Sequence, residues 1–464
     1  MNNFFERTFR LKEHNTSIRT EIIAGITTFL SMAYILAVNP AILSGAGMDR
    51  GGVLIATALA AFFGTVLMAC FANYPFALAP SMGLNAYFAY TVVQSMGFSW
   101  QFALFAVFCE GFIFLLLSVT SIREQIFNSI PLPLKKASGI GIGFFIAFIA
   151  FQNAKLIENH DATLVVFQSF SGDKIYTDGI SALLALAGTI ITACLLSKNV
   201  KGAILLGILL TWCAGIVCQL AGIYRGASII PDLTLESFQT ALGGFGDLFG
   251  SAFDVKNWVH GTNSGFKLIY SMSFVTIVFA FLFVDLFSAI GTLTGVAGQA
   301  GLLTADGKLP KIRGAFMADS LATSGGAVLG TSTTTTYVES ATGVVAGGRT
   351  GLTAITTALL FLLSIIFAPL LLSVPAFATA PALIIVGFYM IAPIREMDFS
   401  DMGIAIPAYL TIIVMPFAYS ITDGISVGII SWTVLNLILR KKERISPLMI
   451  ILTLIFLANY LLLK

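Results

Sequence analysis

Charge is scarce in this sequence. Only 10% of its 464 residues are Asp, Glu, Lys or Arg, 57% are hydrophobic, and the mean hydropathy is +0.92. Soluble domains carry about 25% charged residues, so a chain this apolar cannot cover a water-facing surface. The net charge of +2 supplies no basic field for nucleic acid. Histidine is nearly missing. His14, His160 and His260 all fall in polar connections, which leaves no intramembrane imidazole for a proton relay. Cysteine is sparse too. Cys70, Cys109, Cys194, Cys213 and Cys218 lie inside apolar runs at spacings that match no metal or haem motif, and they read as small packing residues. No nucleophile–base pair or metal cluster of an enzyme is visible. Apolar runs such as 101–120 and 352–374 do not alternate in polarity, which argues against β-barrel strands and leaves α-helices as the spanning elements.

What the chain does have is apolar length. A bilayer core takes about 20 mostly apolar residues per helix. Such segments recur near 22–38, 52–71, 76–95, 101–120, 132–152, 179–197, 201–222, 267–297, 315–329, 337–348, 352–374, 377–395, 403–421 and 422–440. A further one, 446–463, is an extra C-terminal segment that fits either a span or a surface helix. The reading is an all-α polytopic membrane protein of 14 membrane segments. With the N-terminus in the cytoplasm, 18 of the 25 lysines and arginines fall on the cytoplasmic side, as the positive-inside rule requires. The long connections 153–178 and 223–266 then lie outside, and the location is a cytoplasmic (inner) membrane.

Two segments are poor continuous helices. Pro75, Pro80 and Gly83 interrupt segment three. A run of threonines from Thr333 to Thr336 opens segment ten and favours short extended strands. The two sit at corresponding places in the two halves, seven segments apart, and an odd offset inverts the second copy in the membrane. The stretch from Lys201 to Trp212 also resembles that from Asp423 to Thr433. Paired broken segments in two halves are the best sequence pointer to a transporter's binding site.

Half-helices that start at such breaks aim free N–H groups and positive dipole ends inward. Asn85 and Glu339 fall near those starts. Asn85 offers a paired donor and acceptor, and Glu339 accepts when ionised and holds a proton when neutral. Together they suit a flat heterocycle with N–H and C=O edges. A helix cap is the plain alternative for Asn85, a buried structural carboxylate for Glu339. Glu110, Asp285 and Asp319 are further acids in apolar context, where acids are functional by default. Asp319 opens segment nine and suits a cap equally well. Phe88 and Tyr34 could stack on a ring or simply pack.

Thr27-Thr-Phe-Leu-Ser-Met-Ala-Tyr, Asn39-Pro-Ala-Ile-Leu-Ser, Ala77-Leu-Ala-Pro-Ser-Met-Gly-Leu-Asn-Ala-Tyr-Phe, Phe283-Val-Asp-Leu-Phe and Gly347-Gly-Arg-Thr-Gly-Leu-Thr-Ala resemble the AzgA-type purine permeases of the xanthine/uracil permease (nucleobase–ascorbate transporter) superfamily, from about residue 5 to 445. The resemblance implies a seven-plus-seven inverted repeat. Its core domain would comprise 1–120 (segments 1–4) and 267–374 (segments 8–11). Its gate domain would comprise 121–266 (segments 5–7) and 375–445 (segments 12–14), with 446–464 as the extra segment.

The resemblance also implies proton-coupled import of adenine, guanine or hypoxanthine, with substrate positions at Gly83, Asn85 and Glu339. Ser288 stands where the family usually has an aspartate, and a serine can hydrogen-bond a base but does not titrate near neutral pH. The expected proton-coupling candidates are therefore Glu339, Asp285 and Asp319. The expected partners are a purine base and the lipid bilayer, with a homodimer left open and no nucleic acid. No cofactor is expected, because the proton gradient is the energy source. The alternative is the same fold carrying another nucleobase or a small anion with weak or no proton coupling.

Overall fold

The computed structural model describes residues 2–119, 131–160, 163–168, 170, 172–231, 234–299, 302 and 309–462. Among the described residues nine helical stretches are long and apolar enough to cross a membrane, and Met272–Leu286, Met402–Phe417 and Pro447–Ala458 are shorter apolar helices. Polar caps start several of them. Ser17 accepts from the Thr20 N–H at 3.2 Å ahead of Ile18–Met32. Asp49 accepts from the Gly52 N–H at 2.6 Å ahead of Arg50–Ala72, a helix that ends on Asn73 in the left-handed region. Each cap satisfies an orphan N–H where the chain enters its helix.

The helices pack in two sets, and glycines set the spacing in both, as expected where backbones approach closely inside a membrane. In the first set, Ile312–Leu329 packs on Trp100–Val119 and on Arg50–Ala72, and Gly351–Ser364 packs on Arg50–Ala72 and Ile18–Met32. A Cβ on Gly64 would stand 2.8 Å from that of Ala322, and one on Gly25 would stand 2.5 Å from that of Thr356. In the second set, Leu132–Asn153 packs on Ala376–Ile391 and Met402–Phe417, and Met402–Phe417 packs on Ile421–Ile438. There Gly143 and Gly387 meet backbone to backbone.

Short strands break the helical order at three places. β1 (Leu78–Pro80) pairs antiparallel with β6 (Thr334–Thr336), with Leu78 opposite Thr336 and Pro80 opposite Thr334. β2 (Ile157–His160) and β3 (Leu164–Phe167) form a hairpin in the first long connection, and β4 (Val259–His260) pairs with β5 (Asn263–Ser264) in the second.

The second connection is more than a loop. It folds the 14-residue helix Leu235–Leu248, whose Ala241 and Gly244 lie against Gly51 and Gly52. Its apolar residues recur at helical spacing, but three glycines lower its propensity enough to hide it in the sequence. The C-terminal segment is a helix, Pro447–Leu462, with Met449, Leu452 and Phe456 buried. It packs on Ile421–Ile438 and Met272–Gln299. Thr453 donates to Thr433 at 2.8 Å, and the Tyr460 hydroxyl donates to Asp423 Oδ1 at 2.6 Å.

Candidate substrate site at two broken segments

The β1–β6 pair leaves each strand one outer edge among apolar helices, where every backbone polar group needs a protein or water partner. Side chains of neighbouring helices supply them. Thr65 Oγ1 accepts from the Leu78 N–H at 2.9 Å and donates to the Leu78 carbonyl at 3.2 Å. On the other edge Asp319 Oδ1 accepts from the Thr336 N–H at 3.0 Å and the Thr335 hydroxyl at 2.9 Å, and Thr323 donates to the Thr334 carbonyl at 3.0 Å. Ser340 accepts from the Ala77 N–H at 3.0 Å, and the Tyr337 hydroxyl donates to the Pro80 carbonyl at 2.5 Å.

Asp319 therefore does not cap its helix. Ile312–Leu329 begins seven residues earlier, with no side-chain cap at Lys311, and Asp319 is a fully buried carboxylate that carries β6. Glu110 is equally buried and accepts from the Thr333 hydroxyl at 2.7 Å. The threonine run is thus held by two acids from two different helices.

A half-helix leaves each strand. Met82–Ala86 follows β1 and runs on as a π-helical stretch, Tyr87–Ser95; Ser340–Val345 follows β6. Ser81, not Asn85, occupies the N-cap position of the first. Asn85 lies inside that helix, fully buried. Its Nδ2 donates to Asn39 Oδ1 at 2.5 Å, and its Oδ1 accepts from Ser332. Asn39 in turn donates to Thr57 at 2.6 Å and Thr331 at 2.9 Å. The network joins the first, second, third and tenth segments around the break. Each amide has two donor hydrogens as well as an acceptor oxygen, so two of them in contact can reach four segments.

Glu339 is only partly buried, and its neighbour Val338 is 61% exposed. Its Oε1 accepts from the Tyr34 hydroxyl at 2.6 Å. Tyr34 sits at the interruption between Ile18–Met32 and Ile35–Leu43. Tyr389, on the Ala376–Ile391 helix of the second set, lies within electrostatic reach of Glu339. Gly83 faces that set as well, because a Cβ there would stand 2.8 Å from Ile142. A group bound beside Glu339 would meet a carboxylate, a phenol and the edge of the second helix set. That is a mixed donor and acceptor surface of the kind a nucleobase edge requires.

Of the sequence candidates, the structure brings Tyr34 and Glu339 into contact and ties Asn85 to the same pair of broken segments. Phe88 is fully buried in the π-helical stretch, and Asp285 is fully buried on Met272–Gln299. The side chain of Ser288 lies outside the described residues.

Sequence reading missed Asn39 and Glu21. Glu21 is buried, and its carboxylate accepts from the backbone N–H groups of Arg349, Thr350 and Thr353 and from the Thr353 hydroxyl at 2.6 Å, capping Gly351–Ser364 from another helix. An acid beside an apolar run was the available signal; its place at the very edge of segment one made it look like an interfacial charge. Arg349, in the same loop, donates to the Val344 carbonyl at 2.6 Å and so closes the C-terminal end of the Ser340–Val345 half-helix.

Residues 19–427 match the model of the Xan_ur_permease family, described as a permease family. The chain is 42% identical to the guanine/hypoxanthine permease PbuG of Bacillus subtilis, over 98% of this chain and 99% of that protein. It is 40% identical to the adenine permease AdeP of Escherichia coli, over 97% and 94%. It is 41% identical to the putative permease MJ0326 of Methanocaldococcus jannaschii, over 98% and 97%. Among solved structures it is similar to the transmembrane domain of the cyanobacterial bicarbonate transporter BicA, with a TM-score of 0.62 at 12% identity, covering 88% of this chain and 97% of that one. It is also similar to SLC26A9, with a TM-score of 0.61 at 9% identity, covering 91% and 66%.

Proposed function

The chain belongs to the Xan_ur_permease family of permeases and is a multi-pass membrane transporter, not an enzyme; from that premise we propose that it carries purine nucleobases. Two near-full-length relatives are named for adenine and for guanine and hypoxanthine. The observation that carries the reading to a site is the Glu339–Tyr34 pair, a partly buried carboxylate and a fully buried phenol beside the crossing of β1 and β6. In this reading Glu339 hydrogen-bonds the base, Tyr34 aligns Glu339, and the Asn39–Asn85 network holds Gly83 and the two half-helices in register.

The mechanism we propose is proton-coupled import by alternating access. Core elements 1–120 and 267–374 would move the bound base past gate elements 121–266 and 375–445, related by a seven-plus-seven inverted repeat. The N-terminus would face the cytoplasm of a cell whose inner membrane holds the protein. Asp319 is committed to β6, so Glu339 and Asp285 are the stronger coupling candidates, with Ser288 contributing a neutral hydrogen bond. Uptake of labelled adenine, guanine and hypoxanthine into proteoliposomes, with and without an imposed pH gradient and with uracil and xanthine as competitors, tests the whole reading. Saturable uptake blocked by purines and spared by uracil supports it; no purine uptake defeats it.

A second reading, transport of a small anion, draws on the fold shared with the bicarbonate transporter BicA and on the dipole ends that half-helices offer an anion. Bicarbonate accumulation without purine competition would favour it.

A further inference from the structure

Glu110 is an acid that the substrate reading leaves unused. It is 0% exposed on Trp100–Val119, a helix that belongs to neither broken segment. That helix is drawn tightly against Ile312–Leu329 at Gly111, where a Cβ would stand 2.7 Å from the Ser324 nitrogen. A carboxylate costs several kcal/mol to bury and persists when it is hydrogen-bonded to something that matters. Here the partner is Thr333, whose hydroxyl donates to Glu110 Oε2 at 2.7 Å.

Thr333 lies at the crossing. Its carbonyl accepts from the N–H of Ser81 at 2.9 Å, and Ser81 is the N-cap residue of the Met82–Ala86 half-helix. The residue before it, Ser332, donates to Asn85 on that half-helix. Three residues later β6 ends, and Glu339 follows three residues beyond it. Thr333 is therefore where the backbone of segment ten fixes the start of the half-helix in segment three, and Glu110 is what fixes Thr333.

We infer that Glu110 is a positioning residue for substrate binding: acting through the Thr333 hydroxyl, it sets the register of the two broken segments and so the distance between Glu339 and the Asn85 half-helix. The inference rests on the purine reading for its substrate. A carboxylate suits this task because it only accepts, so the Thr333 hydroxyl has one orientation to adopt; a Gln amide can offer its oxygen to the same donor.

The test is a double-mutant cycle read as KM and kcat for purine uptake, with affinity measured by calorimetry. Thr333→Val and Glu110→Leu should each raise KM about tenfold while kcat stays within about threefold, as expected for one lost buried hydrogen bond. Combined, they should be no worse than either alone, because each removes the same interaction. Glu110→Gln should stay within about threefold of wild type. Additive losses in the double variant, or a fall in kcat with KM unchanged, overturn the inference. If Glu110→Leu does not fold, Thr333→Val decides alone, and an unchanged KM there also overturns it.

A wild-type protein that binds no purine defeats the purine reading instead. The same variants are then compared in a cysteine-free background by the rate at which Val338→Cys reacts with a maleimide. An altered rate in both Thr333→Val and Glu110→Leu upholds the role of Glu110, and unchanged rates reject it.

Discussion

The hydroxyl of Tyr34 donates to Oε1 of Glu339 at 2.6 Å, tying the first membrane segment to the tenth across 305 residues of sequence. It leaves the second carboxylate oxygen of Glu339 for other donors and fixes the plane in which that oxygen points. Glu339→Gln should therefore weaken purine binding roughly ten- to a hundredfold, the effect of losing a charge-assisted hydrogen bond. Tyr34→Phe should weaken it less, roughly three- to tenfold, because the carboxylate is kept and only its alignment is lost. Calorimetry on folded, monodisperse variants measures both. Unchanged affinity in Glu339→Gln would remove Glu339 from the binding surface.

Ser288 stands on the Met272–Gln299 helix three residues after Asp285, one turn away and about 5 Å along the axis. At that separation Asp285 cannot stand in directly for a carboxylate at 288. Ser288→Asp should tighten purine binding and make accumulation steeper with the pH gradient. Both forms are compared in proteoliposomes across pH 5.5 to 8. Equal steepness in the serine form would place coupling elsewhere, on Glu339 or Asp285.

Asp319 accepts from a backbone N–H and from hydroxyls of β6 inside the protein. Asp319→Ala leaves those donors without an acceptor and should destabilise the fold by roughly 2–4 kcal/mol. Asp319→Asn keeps one oxygen and should cost less. Thermal unfolding in detergent reads the difference; a melting temperature equal to wild type in Asp319→Ala would show that β6 is held by its other bonds.

Asp401 caps Met402–Phe417 and ion-pairs with Lys441 at 2.8 Å and Arg444 at 2.7 Å. Hydrogen bonds from Lys441, then Arg444, then the Gly403 N–H hold its carboxyl well below the usual carboxylate range. A depressed value means that its contribution is complete above the unfolded value of about 3.9 and is lost as pH falls through the lower, folded one. Asp401→Asn should lower the melting temperature by a gap that stays constant from about pH 8 to pH 5 and closes only below about pH 4. The gap should also shrink in high salt, since the pair is partly exposed. A gap that closes between pH 7 and 6 would point to a different titrating group.

The positive-inside rule would place 153–178 and 440–444 on opposite faces. Lys174→Cys and Lys442→Cys, introduced singly into a cysteine-free background, should react with an impermeant maleimide from opposite sides of sealed vesicles. Labelling from the same side would reject this expected topology.

The sequence by itself determined the class and the positions of the two extended breaks. Apolar runs of helical length required helices in a bilayer, and Pro75, Pro80 and the threonine run forced extended chain where the structure has β1 and β6. These are local decisions, made by transfer of side chains out of water and by the backbone preferences of proline and β-branched residues. The helix Leu235–Leu248 escaped notice because its glycines weakened a periodicity that packing against Gly51 and Gly52 makes good.

The tertiary structure decided which polar groups meet. Nothing near Glu110 in sequence announces Thr333, 223 residues on, and nothing near Glu21 announces Thr353, 332 residues on. Asp319 looked like a cap because sequence reasoning sees only the start of an apolar run, whereas the packed helices place it against β6. Nor does anything near Asn85 in sequence announce Asn39 and Ser332 on either side of its amide. In a low-dielectric interior each buried polar group must find a partner. Hydropathy says that the partner must exist, and only the packing of the helices and the two broken segments says which residue it is.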